Sequence, residues 1–158
     1  MEIIRFIADV NVGKLAKWLR MVGFDTLSFI GIEDGELVEI AMAEGRVVLT
    51  RDTGIVARRL ITGGQVKAKL IESDRLSRQI RQVINELHIN ISQLKPLSVC
   101  LECNKTLVAR DKVDIKDRVP PYVYETQEEF VECPQCNRIY WKGTHWQAMQ
   151  RNIRNMIE

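Results

Sequence analysis

Alternation between short apolar runs and amphipathic stretches in the first 91 residues constrains the fold of this chain most strongly. Runs typical of buried strands lie at 3–8, 26–30, 46–50 and 66–71. Helical patterns follow them, at 13–22, 34–43, 54–61 and 73–88. Four strand–helix units in series predict an α/β fold, a mostly parallel sheet sandwiched by helices.

Composition limits the class of protein. The chain has 158 residues, of which 46% are hydrophobic and 28% charged, the mix of a soluble globular protein. No apolar run approaches the roughly 20 residues that cross a bilayer. The N-terminus has an acid at position 2 and lacks a signal-peptide pattern. We therefore expect a cytoplasmic protein with no membrane association.

The four cysteines form two C-x-x-C pairs, Cys100 with Cys103 and Cys133 with Cys136. Such a pair lets two thiolates of one tight turn reach the same ion, so two pairs predict a closed, structural zinc site. Asn104 and Asn137 follow the two pairs, and Asn tolerates the left-handed turn expected there. Two disulfides or a thioredoxin-like redox motif are the alternatives, which we rank lower.

The character of the chain changes near residue 93. We predict an α/β domain at 1–92, a linker at 93–98 and a zinc ribbon with a C-terminal helix at 99–158. Short strands are expected at 123–125 and 138–141, and a helix from His145 to Ile157.

An acid stands at every strand–helix junction: Asp9, Asp34, Asp52 and Asp74. The carboxyl ends of parallel strands share one edge of the sheet, where active sites of α/β folds collect. Clustered carboxylates repel unless a cation neutralises them, and their hard oxygens suit Mg²⁺ or Mn²⁺. The alternative is helix N-capping, which suffices locally for Asp34 and Asp74 and is weaker for Asp9 and Asp52. The pattern leaves both interpretations open.

The helix predicted at 13–22 carries its apolar residues on one arc and Lys14, Lys17 and Arg20 on another. A basic face beside a carboxylate cluster favours binding of a phosphate backbone. An ordinary solvated face is the alternative. The same ambiguity applies to the other cations, Arg58, Arg59, Arg75, Arg78 and Arg81.

Several motifs, in order, resemble landmarks of the Mut-seven C-terminal RNase domain family, a PIN-like nuclease fold fused to a zinc ribbon. They run nearly from end to end of the chain and include RFIADVNVGKLAKWLRMVGFDT, EGRVVLTRD, CLECN, RVPPYV, CPQCNRIYW and GTHW. The resemblance implies a metal-dependent ribonuclease in which acids at the sheet edge bind Mg²⁺ or Mn²⁺.

The resemblance also implies roles for single residues. Asp9 is similar to the first acid of PIN proteins, Asp34 to their helix-start acid and Asp52 to the acid after the next strand. Glu36 or Asp74 would supply a further acid. RNA is the implied partner. We expect the RNA phosphates to contact Lys14, Lys17, Arg20 and Arg51, and the protein to be a monomer or a homodimer.

Aromatic residues are concentrated at 140–146, beside the second cysteine pair. They could stack unpaired bases, but for Trp141 and Trp146 we favour packing, because a zinc ribbon has a small core. His145 is an auxiliary candidate that could reach the metal cleft, contact RNA or cap the last helix.

Three functions remain at the level of sequence. The first is a divalent-metal ribonuclease, the second a non-catalytic RNA- or ribosome-binding adaptor, and the third a phosphatase-like hydrolase of small substrates. The formal net charge is only +2, yet residues 1–97 hold 14 Lys and Arg against 12 acids. Because at least three of those acids are assigned to the metal cleft, the remaining surface is predicted to be basic, which favours the ribonuclease.

Overall fold

The computed structural model describes residues 3–143, 146–148, 150–151 and 154. The helices and strands of the first part are β1 (Phe6–Ala8), α1 (Gly13–Met21), β2 (Thr26–Ser28), α2 (Asp34–Glu44), β3 (Val47–Thr50), α3 (Thr53–Val56), α4 (Arg59–Thr62), β4 (Ala68–Leu70) and α5 (Leu76–Glu86). The second part contains β5 (Val108–Arg110), α6 (Pro121–Thr126), β6 (Phe130–Glu132) and β7 (Ile139–Tyr140). Short 3₁₀ turns lie at Val10–Val12, Ile91–Gln93 and Lys112–Arg118.

The first four strands form a parallel sheet in the order β2-β1-β3-β4. Ala8 lies opposite both Ser28 and Leu49, so β1 has a neighbour on each side. The predicted parallel sheet is therefore confirmed, with every carboxyl end at one edge.

Helices cover both faces of this sheet because its strands are apolar on both sides. Phe6 and Leu49 pack in one buried cluster with side chains of α1 and α5. Ile7 and Val48 point the opposite way and pack with side chains of α2, α3 and α4. The predicted sandwich of helices around the sheet is confirmed.

Two predicted elements differ from the structure. The single helix expected at 54–61 is two short helices, because Arg58 has an extended backbone with ψ of 147°. The strand expected at 123–125 is part of helix α6. Proline at the first helical position is already in the helical φ range and lacks an N–H that would go unpaired there, so Pro121 starts the helix.

The second part contains a separate three-stranded antiparallel sheet, in the order β5-β6-β7. Phe130 is buried on it and lies 6.3 Å from the ring of Trp141, measured between ring centres. Trp141 thus packs in the small core of the ribbon, as its predicted structural role requires.

Trp146 also packs, but against the other part of the chain. It is buried in the cluster formed by the sheet, α1 and α5. The described residues of the predicted C-terminal helix, 146–148, 150–151 and 154, are helical. The chain therefore returns from the ribbon to the first core, while His145 lies outside the described residues.

The segment after α5 passes close to the end of α1. Gly23 has a φ of +102°, and a Cβ there would lie 2.4 Å from the carbonyl oxygen of Lys95. The backbone N–H of Lys95 donates to the carbonyl oxygen of Val22 at 2.7 Å. Position 23 therefore requires glycine for two reasons, its left-handed backbone and the close approach of residue 95.

A buried guanidinium joins the first cysteine turn to the parallel sheet. Arg20, near the end of α1, is 7% exposed and donates to the carbonyl oxygens of Thr26 at 2.8 Å and Leu101 at 2.7 Å. The side chain of Asn104 accepts from the N–H of Thr26 at 2.8 Å and donates to Asp25 at 2.6 Å. We call these contacts of Arg20 and Asn104 the joint. It lies at the amino edge of the sheet, where β2 begins.

A second buried arginine, Arg46, is hydrogen-bonded to Asp25, the partner of Asn104 in the joint. Arg46, just before β3, donates to Asp25 at 2.8 Å and to the carbonyl oxygen of Phe6 at 2.9 Å. Burial raises the pKa of Asp25, but the hydrogen bonds from Arg46 and Asn104 outweigh it and the resulting pKa lies below the ordinary value. Asp25 is thus held as a charged partner, at the edge opposite the junction acids.

Because only the first cysteine turn takes part in the joint, we expect substitution of Asn104 to lower stability more than substitution of Asn137. Asn104→Gly keeps the left-handed backbone, where φ is 59°, but removes both side-chain hydrogen bonds. We expect a loss of about 1–3 kcal/mol in the free energy of unfolding, because the Thr26 N–H is left without its partner. Chemical denaturation of the full chain measures it.

Asn137→Gly is the matched control. Asn137 has the equivalent backbone, with φ of 65°, and its side chain makes no hydrogen bond within the described residues. Equal losses in the two variants would contradict the assignment of the joint to the Asn104 side chain.

Candidate active site and metal centre

The carboxyl edge of the parallel sheet brings together the residues that follow β1 and β3. These strands are neighbours, and β2 lies on the other side of β1. In open parallel sheets, ligands bind outside the carboxyl ends where the chain changes its direction of winding. Here that position lies between β1 and β3, where Asp9 and Asp52 stand.

Asp9 is the most buried acid at this edge, with 9% of its surface exposed. Its Oδ1 accepts from the N–H of Val10 at 2.8 Å. Its Oδ2 accepts from the hydroxyl of Thr50 at 2.8 Å and from the side-chain amide of Asn11 at 3.1 Å. Three donors on two oxygens fix the orientation of this carboxylate.

Thr50 links Asp9 to Asp52. It is fully buried at the end of β3. Its hydroxyl accepts a hydrogen bond from the backbone N–H of Asp52 at 3.0 Å and donates one to the Asp9 carboxylate. Sequence analysis missed this residue, because a threonine ending an apolar run looks like any strand residue. The signal available was the two-residue spacing between Thr50 and Asp52.

Asn11 was also missed. Its amide nitrogen donates to Asp9, and its amide oxygen accepts from the backbone N–H of Arg51 at 3.2 Å. Asn11 therefore ties the turn after β1 to the turn after β3. An asparagine two residues after an acid is common in turns, so its pattern alone does not reveal this role.

The acids that cap helical turns in the structure are Asp9 and Asp52, whereas capping was expected for Asp34 and Asp74. Asp9 and Asp52 accept backbone N–H groups at the starts of the Val10–Val12 turn and of α3. Asp34 is the first residue of α2, whose cap position is Glu33, and Asp74 precedes the cap position of α5, Arg75. Neither Asp34 nor Asp74 makes a side-chain hydrogen bond within the described residues, so the prediction that capping accounts for them is wrong.

The three candidate catalytic acids do not form a closed carboxylate cage. Among the described residues, only the cysteines form a cluster of three or more possible ligands whose atoms all lie within 4.8 Å of one another. This arrangement still fits Mg²⁺, which usually takes one or two carboxylates and completes its shell with water and substrate phosphates. Asp9 and Asp52, connected through Thr50, are hard oxygen donors of that kind.

The two further acids occupy different places. Glu36 is exposed in the first turn of α2, with no hydrogen bond among the described side chains. Asp74 is exposed and lies between two clefts at the same sheet edge, one lined also by Lys14 and the other by Arg51. Both of these predicted phosphate-binding cations thus lie beside the acids.

The predicted basic face of α1 is not a continuous exposed surface. Lys17 pairs with Glu102 at 3.2 Å. The prediction that Arg20 contacts RNA from an exposed face is wrong, because Arg20 is buried in the joint. Helical periodicity placed the three cations on one arc, but the ribbon packs over the end of that arc.

The four cysteine sulfurs, which were predicted to converge, lie within 4.8 Å of one another. The Sγ atoms of Cys100 and Cys136 are 3.8 Å apart. A tetrahedral zinc ion with Zn–S bonds of about 2.3 Å separates its sulfurs by about 3.8 Å. The cluster therefore fits a metal ion such as zinc.

The surroundings of the cluster favour a thiolate at Cys100, whereas burial and the neighbouring thiols raise the pKa of Cys103 to about 12. All four thiols are free, so the disulfide alternative is wrong. Burial raises the pKa of Cys100, but the Tyr140 hydroxyl and backbone N–H groups outweigh it and lower the pKa to about 7. Asn104 and Asn137 have φ of 59° and 65°, as predicted for the turns after the two pairs.

Comparison with known proteins gives one match. The family model described as the Mut7-C RNAse domain matches residues 4–153. No curated protein and no solved structure matches the chain significantly. In the described part of the chain, every helix is too short or too polar to cross a membrane.

The cysteine cluster predicts a measurable metal content. Protein purified without chelator is expected to carry one zinc ion per chain, because four thiolates fill a tetrahedral shell. Cys136→Ser should lose zinc and lower the melting temperature, since ribbon folding is coupled to binding. Elemental analysis and thermal denaturation measure the two effects.

Cobalt substitution provides the control. Co²⁺ in a four-thiolate site gives strong sulfur-to-metal absorption that weakens when one sulfur is replaced. Full zinc content and an unchanged spectrum in Cys136→Ser would contradict the four-cysteine site.

Proposed function

The chain belongs to the Mut7-C RNAse domain family, and from this membership we propose that it is a divalent-metal-dependent ribonuclease. The proposal is that it hydrolyses RNA phosphodiester bonds at the carboxyl edge of the parallel sheet. The observation that carries it is the hydrogen-bonded connection from the Asp9 carboxylate through the Thr50 hydroxyl to the backbone N–H of Asp52, at the position where open parallel sheets bind ligands.

Asp9, Asp34 and Asp52 are the proposed catalytic acids. Asp9 is held in one orientation by three donors, whereas Asp52 is exposed and its Oδ1 accepts from the backbone N–H of Gly54 at 2.7 Å. Asp34, at the start of α2, has no capping task to explain its carboxylate. Bound Mg²⁺ or Mn²⁺ supplies charge neutralisation and a more acidic water for attack on phosphorus.

Lys14 and Arg51 are the proposed contacts to the phosphates on either side of the cleaved bond. Both are exposed, and neither forms an ion pair with a described acid. Arg51 is placed by its own backbone, since its N–H donates to Asn11, a partner of Asp9. A phosphate beside the proposed acids would therefore be bound by the positive charges of Lys14 and Arg51.

A structural zinc ion is the proposed occupant of the cysteine cluster. All four ligand positions would be filled by sulfur, which leaves no open position for a substrate. The cluster also joins the amino edge of the sheet through the joint, at the edge opposite the acids. Its proposed role is therefore to hold the ribbon in place.

Substitution of the acids tests the ribonuclease. Asp9→Asn and Asp52→Asn are each expected to lower cleavage of labelled RNA in Mn²⁺ by about 100-fold or more, because each removes negative charge from the metal-binding edge. The measurement is the initial rate of cleavage on denaturing gels with structured and single-stranded RNA.

Asp114→Asn is the matched control, since Asp114 is exposed in the ribbon and its side chain bonds to no described residue. Wild-type rates in both edge variants would contradict the proposal. RNA binding by the wild type without cleavage in Mg²⁺ or Mn²⁺ would instead favour the adaptor function.

Thr50 is proposed as a positioning residue for Asp9. Thr50→Val conserves shape but removes the hydroxyl that donates to Asp9 and accepts from Asp52. We expect kcat to fall about tenfold or more with RNA affinity unchanged, because the carboxylate loses one of three orienting bonds.

Thr50→Ser restores the hydroxyl and should restore most of kcat. Melting temperatures of both variants separate activity from folding. A serine variant as inactive as the valine variant, at equal stability, would show that the hydroxyl does not position Asp9.

A further inference from the structure

Two adjoining clefts lie along the carboxyl edge of the sheet, on the side covered by α1 and α5. One, with a volume of about 740 Å³, lies between the Val10–Val12 turn and the start of α5. The other, of about 510 Å³, lies between the end of β3 and the same helix. Asp74 lines both clefts, so they adjoin at this residue, and we call the pair the trough. Each has the volume of an ordinary ligand site.

Each cleft contributes two cations to the trough. Lys14 and Arg75 line the larger cleft, and Arg51 and Arg78 line the smaller. Within the described part of the chain, no carboxylate lies within 4.0 Å of any of these four cationic groups. By contrast, Lys17 pairs with an acid. The cations of the trough are thus available to an external anion.

The charge of the trough favours a phosphate backbone. Among the described residues, two acids, Glu72 and Asp74, line it beside the four cations. The start of α5 forms a wall of both clefts. The N-terminus of a helix is the positive end of its dipole, so it adds to the attraction for phosphate.

The side chains of Gln79 and Gln82 hold the wall that carries the two arginines. Gln79 is 4% exposed, and its amide donates to the carbonyl oxygen of Ser73 at 2.8 Å. Gln82 donates to the carbonyl oxygen of Leu70 at 2.8 Å and accepts from the N–H of Glu72 at 3.0 Å. The turn between β4 and α5 is therefore fixed to the helix before any ligand binds.

The trough is continuous with the hydrogen bonds around Asp9. Asn11 lines the larger cleft and donates to Asp9. The same side chain accepts from the N–H of Arg51, which lines the smaller cleft. An anionic chain lying in the trough therefore passes beside Asn11, which donates to Asp9.

We infer that a single strand of RNA lies in this trough, with Arg75 and Arg78 binding its phosphates beyond the cleaved bond. The inference rests on the proposed ribonuclease function and assigns its substrate surface to α5 rather than to the α1 face. Arg75 is the cap residue of α5 and Arg78 lies in its first turn, and they line clefts that adjoin at Asp74. Arg81, the next member of the row, lies outside both clefts.

Binding of labelled single-stranded RNA by the full chain tests the inference. The double variant Arg75→Gln/Arg78→Gln is made in an Asp9→Asn background, so that cleavage does not interfere. We expect the Kd to rise about tenfold or more, and the slope of log K against log salt to decrease by about 1.4, since each lost phosphate contact removes about 0.7.

Arg81→Gln in the same background is the control, because it removes one arginine charge from α5 outside both clefts. It should leave the salt slope unchanged and the Kd within about twofold. Arg75→Lys/Arg78→Lys keeps the charge and should restore the slope, with melting temperatures showing that all variants fold.

In chains that retain Asp9, the Gln double variant should raise KM and leave kcat within a few-fold, since the acids are untouched. Equal losses from Arg81→Gln, or an unchanged salt slope in the double variant, would overturn the trough. So would absence of RNA binding by the wild type.

Failures of the two proposals are distinguishable. If RNA binds with the expected slopes but is not cut in Mg²⁺ or Mn²⁺, the ribonuclease fails and the trough stands. If RNA is cut but the double variant binds normally, the trough alone fails.

Discussion

The arrangement of the α/β part and the ribbon depends on the hydrogen bonds of the buried Arg20 guanidinium. A charged group is costly to bury unless its donors are paired, and Arg20 bonds to carbonyl oxygens of β2 and of the first cysteine turn. Asn104 completes the contact by accepting from the backbone of Thr26. The pairing fixes the ribbon at the amino edge of the sheet.

Because the ribbon occupies the amino edge, the carboxyl edge stays accessible. Helix α1 connects the two edges, and its nine residues span about 13 Å. The cysteine cluster and the junction acids therefore belong to different ends of the molecule. A metal ion bound in the cluster would lie at the edge opposite the junction acids.

At the carboxyl edge, the same groups shape the backbone and carry the proposed chemistry. Asp9 and Asp52 accept backbone N–H groups where helical turns begin. Both oxygens of Asp9 are hydrogen-bonded, whereas Oδ2 of Asp52 makes no hydrogen bond within the described residues. Thr50 and Asn11 connect the turns after β1 and β3, so the proposed acids are set by a network rather than by single loops. Preorganisation of this kind is what a metal-dependent hydrolysis requires of its protein.

The sequence by itself determined the parallel sheet, the convergence of the four cysteines and the edge on which the acids stand. These follow from local rules: apolar runs form buried strands, C-x-x-C turns bring sulfurs together, and parallel strands end at one edge. Only the tertiary structure decided that Arg20 is buried, that Trp146 packs on the first core and that Thr50 connects two acids. It also separated Arg75 and Arg78 from Arg81. Periodicity fixes the direction of a side chain on its own helix, but what covers that side chain depends on segments far away in the chain.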